Sequence, residues 1–485
     1  MRKLLLATAA IVGASVGTMG LAMAQAPETL QGTVATPANG GSYTYGDNNY
    51  MGGTMTKGPV ANPTPGTMVI RLGVRADVGV GAAWSSIDEA GGTTKLNPVQ
   101  IFEYLRIYPG VDAMAANGLR YGAAAEIRQN YSSASGIAAV PGSSGAGVGG
   151  AGTSPWLSTQ TLFVRRAFAY VAADDFGIVR LGEMDGLMGT YDEGGATTGV
   201  FLSPSGTIVG GNLQSNNVSN AWMAPYFGAQ SGAEYGAAKI VYLTPSFFGF
   251  DFGLEYAPSQ YNGYAIGAGA NPLSYGCASG PLGGDACVNA SATAGGEAAY
   301  TNFVEVGGRY QHTWGPVAIL GYATYTHSGV VQNSTGMTNF NGLDFFQIGT
   351  NVTVAGISVF GNLLHGTVNG DYGVNAVGAV PSTGFGTGVK YSYGPYTIGA
   401  LYSQLDDQGA AFKPSGANFF ATQRHAWVFA AAATYSPAPG LTFYLDYDYG
   451  QQHQGDFNFA TGSAGSTAYN DIKAQGVMFG TVVKW

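Results

Sequence analysis

Charge is scarce in this 485-residue chain. Asp, Glu, Lys and Arg make up 10% of it, where a soluble domain carries about 25%. Basic residues are scarcer than acidic ones, 19 against 28 for a net charge of −9, which argues against nucleic acid as a partner. The five histidines (His312, His327, His365, His425, His453) are scattered, with no H-E-x-x-H or G-x-S-x-G context around any of them; the one G-x-S-x-G match, Gly13 to Gly17, lies in the N-terminal apolar run. An enzyme is therefore not expected, and neither is a metal or cofactor. The only two cysteines, Cys277 and Cys287, lie in a Gly/Ala/Asn-rich stretch (YGCASGPLGGDACVNA). Two thiols without neighbouring histidines make a poor tetrahedral metal site, and in an oxidising compartment they are expected to close a small disulfide loop. Finally, no stretch beyond the N-terminal leader reaches the about 20 apolar residues that a membrane-spanning helix needs.

The sequence is rich instead in glycine, 78 residues, and in aromatics, 12%. At the N-terminus Arg2 and Lys3 precede an uncharged apolar run, Leu4 to Leu21, followed by Ala22-Met23-Ala24. This is the pattern of a secretory signal peptide, residues 1–24, with an A-x-A cleavage site. Residues 25–66 are rich in Pro, Gly, Asn and Thr without a period and read as a periplasmic extension or linker. Residues 67–485 form the remaining domain.

From Thr67 the hydropathy alternates with period two, as in strands with one apolar and one polar face. Ile70, Leu72, Val74, Ala76, Val78 and Val80 share one face, and Arg71, Gly73, Arg75 and Asp77 the other. The same split sets Phe250, Phe252, Leu254 and Tyr256 against Asp251 and Glu255, and Leu441, Phe443, Leu445 and Tyr447 against Tyr444, Asp446 and Asp448. Carboxylates facing lipid are costly, so the charged faces must line an aqueous interior. The pattern recurs about 16 times. The expected fold is all-β, a transmembrane antiparallel β-barrel of about 16 strands.

The connections alternate in length. Short ones carry tight-turn residues: Asn117-Gly118, Asp174 to Gly177, Trp314 to Pro316, Tyr393 to Pro395 and Pro437 to Gly440. Long polar stretches separate them, the asymmetry of short periplasmic turns and long extracellular loops. The last strand, KAQGVMFGTVVKW, directs Val477, Phe479, Thr481, Val483 and Trp485 to lipid. It is expected to pair with the first strand, Thr67 to Val80, so that Phe479, Val483 and Trp485 mark barrel closure.

The connection from about Met184 to Ala233 is the longest after the fifth strand and contains Asp185, Asp192 and Glu193. Arginines concentrate in the first five strands: Arg71, Arg75, Arg106, Arg120, Arg128, Arg165, Arg166 and Arg180. Arginines on the lumen face, opposite an acidic loop folded inward, create a transverse field across a narrow passage. Individually, each reads equally well as a solvated lumen residue paired with Glu126 or Asp77. The candidate constriction residues are Arg71, Arg75, Arg120, Arg128, Arg165, Asp185, Asp192 and Glu193. Arg166, next to Arg165, is expected to point outward and to mark a subunit interface. For Arg106 the alternation decides neither face.

VRRAFAYVAADDFGIVRLGE (Val164 to Glu183), YLTPSFFGFDFGLEYA (Tyr242 to Ala257), NGLRYGAAAE (Asn117 to Glu126) and the C-terminal strand together resemble the Gram-negative general diffusion porins. The resemblance implies a homotrimer of 16-stranded barrels in the outer membrane, each with its third loop folded into the lumen, passing small hydrophilic solutes and ions. It equates Arg165 with the constriction arginine and the segment after Glu183 with the constriction loop, and it makes the C-terminal strand the signal read by the barrel-assembly machinery. Outer-membrane lipid and lipopolysaccharide are the expected surroundings. The alternative is a substrate-specific channel in which Tyr325, Tyr391 and Tyr444 form a stacking track for sugars.

Overall fold

The computed structural model describes residues 63–86, 89–90, 94–95, 99–129, 162–191, 238–259, 298–332, 340–369, 375–409, 422–459, 463–464 and 467–484. Sixteen antiparallel strands close into a barrel. In chain order they are β1 (Thr67–Ser85), β2 (Val99–Met114), β3 (Arg120–Gln129), β4 (Leu162–Ala173), β5 (Gly177–Glu183), β6 (Ala238–Leu243), β7 (Phe250–Ser259) and β8 (Ala298–Trp314). They continue with β9 (Val317–Gln332), β10 (Asp344–Val354), β11 (Ile357–Thr367), β12 (Ser382–Tyr393), β13 (Tyr396–Asp407), β14 (Arg424–Ala438), β15 (Leu441–Gln454) and β16 (Asp471–Lys484). Each strand pairs with its sequence neighbours, and β16 returns to β1. Closure gives every strand a neighbour on both sides, the condition a β structure must meet in hydrocarbon.

The closing register is staggered. Lys484 lies opposite Arg75 and Ala474 opposite Ser85, so Thr67 to Val74 pair with β2 but not with β16. Tilted strands impose such a stagger on any closed barrel. Phe479 and Val483 face outward, as expected; Trp485 lies outside the described residues, as do residues 1–62.

The turns have the predicted chemistry. Gly118, Gly177, Gly315, Gly394 and Gly440 all adopt positive φ. Two further turns lack the usual sequence signature: Phe248-Gly249 and Ala355-Gly356, in each of which both residues have positive φ. Paired left-handed residues match the twist of the flanking strands.

The glycine content has a structural use inside the wall. A Cβ on Gly349 would lie 2.3 Å from the Tyr322 ring, and one on Gly480 would lie 2.4 Å from the Tyr444 hydroxyl. Each inward aromatic lies flat on the bare backbone of the next strand. The Tyr322 hydroxyl accepts a 2.7 Å hydrogen bond from the Gln347 side chain, which pins the ring. Gly349→Val is expected to displace Tyr322 and to lower stability by about 1–3 kcal/mol, the usual cost of overpacking, read as a lower urea midpoint for the folded barrel.

Candidate functional site

The site is built where the third long connection meets the inner wall. Residues 184–186 leave β5, and Leu187–Tyr191 form a short helix, α1, packed on β7, β8 and β9. Outward residues of these strands, such as Leu254, Val306 and Tyr325, are exposed, whereas Leu187, Met188 and Tyr191 are fully buried. The start of this connection therefore lies inside the barrel, as expected for an inward-folded third loop.

A carboxylate pair anchors α1. The Leu187 backbone N–H donates to Glu255 Oε2 and to Glu305 Oε2, both at 2.9 Å. Lys239 Nζ stands 2.9 Å from Glu255 Oε1, and the Thr326 hydroxyl donates to Glu305 Oε1 at 3.0 Å. An N–H at the start of a helix has no partner within the helix, and here the wall supplies it. At the other end of α1, the Arg309 guanidinium sits 4.9 Å above the Tyr191 ring and donates to Asp251 at 3.2 Å. Burial, aided by the Asp251 charge, pushes the Tyr191 hydroxyl well above its ordinary range, so it stays neutral.

On the opposite flank Asp185 reaches β4. Arg166 is fully buried and bridges the Asp185 carboxylate and Glu126, the latter at 3.2 Å. Arg106 approaches the other oxygen of Glu126 at 3.7 Å. This overturns the outward placement of Arg166 and the subunit interface built on it. The cause is a β-bulge: Arg166 lies opposite Glu126 and Val164 opposite Ile127, with Arg165 unpaired between them. One extra residue reverses the faces of everything beyond it. Val164 is exposed, while Arg166, Phe168 and Tyr170 are buried inside. The small outward residues Ala167 and Ala169, alternating with inward aromatics, were the available sign. Arg106 is likewise inward, sharing its face with buried Tyr108.

The remaining predicted residues are distributed along the wall. Arg71 Nε donates to Asp112 at 2.7 Å, and the Tyr170 hydroxyl donates to the other Asp112 oxygen. Arg75 donates to Asp77 at 3.0 Å, and Arg120 stands 3.5 Å from Asp174 at the short turn between β4 and β5. All are inward, and each meets a carboxylate of the wall or its turns; among the described residues Asp185 is the loop carboxylate that reaches an arginine of the wall. The side chains of Arg128 and Arg165 lie outside the described residues, as do Asp192, Glu193, Cys277 and Cys287. Tyr325 and Tyr391 are exposed on the outer face and only Tyr444 points inward, so the proposed stacking track is not assembled. Among the described residues, no cluster of His, Cys, Asp or Glu is placed to hold a metal ion.

Comparison with known proteins matches residues 7–455 to the Gram-negative porin family. A search of the curated proteins finds no match. Among solved structures, the chain is similar to the anion-selective porin from Comamonas acidovorans, at 13% identity and a TM-score of 0.48, covering 86% of this chain and 100% of that one. It is also similar to the outer membrane channel DcaP of Acinetobacter baumannii, at 10% identity and a TM-score of 0.49, covering 88% and 99%. A complex of Salmonella typhi OmpF with daunomycin matches at 14% identity and a TM-score of 0.47, covering 85% and 97%.

Proposed function

The chain belongs to the Gram-negative porin family and forms a diffusion channel of the outer membrane, and from that premise we propose that its constriction lies where the third connection crosses the arginine-bearing wall. The observation that carries this is the seating of residues 185–191 against the inner wall, with Asp185 on Arg166 and the Leu187 N–H on Glu255 and Glu305. The inward arginines of β1 to β5 outnumber Asp77, Asp112 and Glu126 on the same strands, while Asp446 and Asp448 face inward from β15. Opposed charge across a narrow passage favours hydrated polar solutes, which align with the field, over apolar ones. Arg128, Arg165, Asp192 and Glu193 belong to the same passage in this reading.

The working form is a homotrimer, associated through the sector from β1 to β5. Strand β5 has only 7 residues, short of the about 9–11 that cross a bilayer. The outer face there combines small Ala123, Ala167 and Ala169 with strongly exposed Ile70 (79%) and Ile101 (81%). A low wall with small and unshielded apolar residues suits protein contact better than lipid. Residues 1–24 are removed on export, residues 25–66 precede the barrel on the periplasmic side, and Cys277 and Cys287 form a disulfide in the same reading.

Added to a planar bilayer, the purified protein is expected to open ohmic conductances in groups of three equal steps, without saturable block by sugars. A sealed bilayer overturns the channel, single steps overturn the trimer, and saturable sugar block overturns unselective diffusion.

A further inference from the structure

Four of the five histidines, dispersed in the sequence, come together on the outer surface. His327 on β9 lies opposite Asp344 on β10, and His365 on β11 opposite Thr383 on β12. Thr383 in turn faces Asp406, Asp406 faces His425, His425 faces His453, and His453 faces Asp471. The result is a belt across the outward ends of eight successive strands, β9 to β16, half of the barrel's circumference.

Its height is set by the strands. From the periplasmic turn that joins β8 to β9, Val317 to His327 spans ten residues. At about 3.3 Å per residue and about 40° of tilt this is about 25 Å, the height of a barrel's apolar band. Directly below the belt runs an aromatic girdle, with Phe385 5.7 Å from Tyr402, and Trp427 6.1 Å from Tyr402 and 5.5 Å from Tyr449. At the opposite end, Trp314 and Tyr310 flank the fifth histidine, His312. The belt therefore stands at the headgroup level of the outer leaflet, a placement that rests on the channel reading above.

The side chains are arranged to change charge there. The Asp406 carboxylate holds His425 Nδ1 and accepts a 3.0 Å bond from Gln404; Asp471 holds His453 Nδ1 at 2.9 Å. His365 Nδ1 meets the Thr383 hydroxyl at 2.9 Å, and the Tyr325 hydroxyl donates to Asp344 at 3.0 Å. A carboxylate only accepts, so Nδ1 of His425 and His453 carries the hydrogen and Nε2 is the nitrogen left for an outside partner. Nε2 of a neutral imidazole is an acceptor; protonated, it is a charge-assisted donor suited to phosphate oxygen. Among the described residues, the other charged or titratable groups facing the belt from β9 to β16 are Lys473 and the tyrosines Tyr325, Tyr402, Tyr447 and Tyr449. With four neutral imidazoles, three carboxylates against Lys473 leave the belt two charges negative; with all four protonated it is two charges positive.

We propose that this belt is a docking surface for phosphorylated lipid headgroups of the outer leaflet, engaged when its histidines are protonated and released when they are neutral. The apolar strand faces beneath it take the acyl chains, and the Nε2–H groups take the phosphates.

The test is retention of bis-phosphorylated lipid A by the full-length protein, with H365Q/H425Q/H453Q as the variant. Moving from pH 5.5 to pH 8 is expected to weaken retention by the wild type about tenfold, in line with the attraction of a few surface charges for anionic lipid. The triple variant is expected to bind weakly at both values while keeping wild-type bilayer conductance, which separates loss of lipid from loss of the channel. D406N/D471N, which removes two opposing charges, is expected to retain more lipid at pH 8 than the wild type. Retention independent of pH, a triple variant that tracks the wild type, or equal retention of dephosphorylated lipid A overturns the proposal. Displacement by inorganic phosphate at matched phosphate concentration also overturns it, because the site then takes a free anion rather than a lipid.

Discussion

Replacing Arg166 by methionine is expected to destabilise the barrel by about 3–5 kcal/mol and to shift its ion selectivity toward cations. Arg166 is fully buried between Glu126 on β3 and Asp185 at the start of the third connection. Removing one member of a buried ion cluster leaves the others short of counter-charge, and that penalty exceeds the net worth of the pair itself. Arg106 stays close to Glu126 but is 3.7 Å away and cannot replace the lost bridge to Asp185. Urea unfolding of the purified barrel measures the stability, and reversal potentials in asymmetric KCl measure the selectivity. Restoring neutrality with E126Q in the R166M background should recover part of the loss, as residues in one network are not additive. An Arg166 directed at lipid or at a neighbouring subunit would instead leave the reversal potential unchanged.

The second large effect is expected from the pair of carboxylates that hold α1. In E255L/E305L the Leu187 N–H loses both of its 2.9 Å acceptors and Lys239 loses the carboxylate 2.9 Å from its Nζ. A buried donor without an acceptor costs about 1–3 kcal/mol, and a buried ammonium without its partner about 3–5 kcal/mol. Undocking α1 relieves both by admitting water, so the loop is expected to leave the wall. The readout is a higher single-channel conductance with increased open-channel noise. The milder E255Q/E305Q keeps an acceptor oxygen at each position and is expected to lie between wild type and the leucine pair. Conductance unchanged in both variants would mean that α1 does not narrow the passage.

These two networks show where sequence reasoning stopped. Each strand was recognisable because a membrane wall imposes one rule on every residue, lipid on one side and water on the other, and period two records it directly. Thus β10 to β15 begin and end within a few residues of where alternation and turn chemistry place them, and the acidic faces of β7 and β15 point inward as the cost of charge in lipid requires. Alternation cannot report an inserted residue whose neighbours are both plausible on either face. At Arg165-Arg166 the bulge inverted the reading, and only pairing with β3 located it. Nor does alternation order every aromatic residue: it set Tyr444 inward with Asp446 and Asp448, as found, but Tyr325 and Tyr391, offered with it for a track in the lumen, lie outside.

The sequence by itself determined the barrel, its strand number and the face of nearly every strand, because these follow from local hydropathy and turn geometry. The tertiary structure decided what depends on residues far apart in the chain. It set the eight-residue stagger of β1 against β16, the bridge from Asp185 to Arg166 and Glu126, and the capture of Leu187 by carboxylates from two other strands. It also gathered four scattered histidines into one belt, since strand register alone decides which residues share a height on the wall.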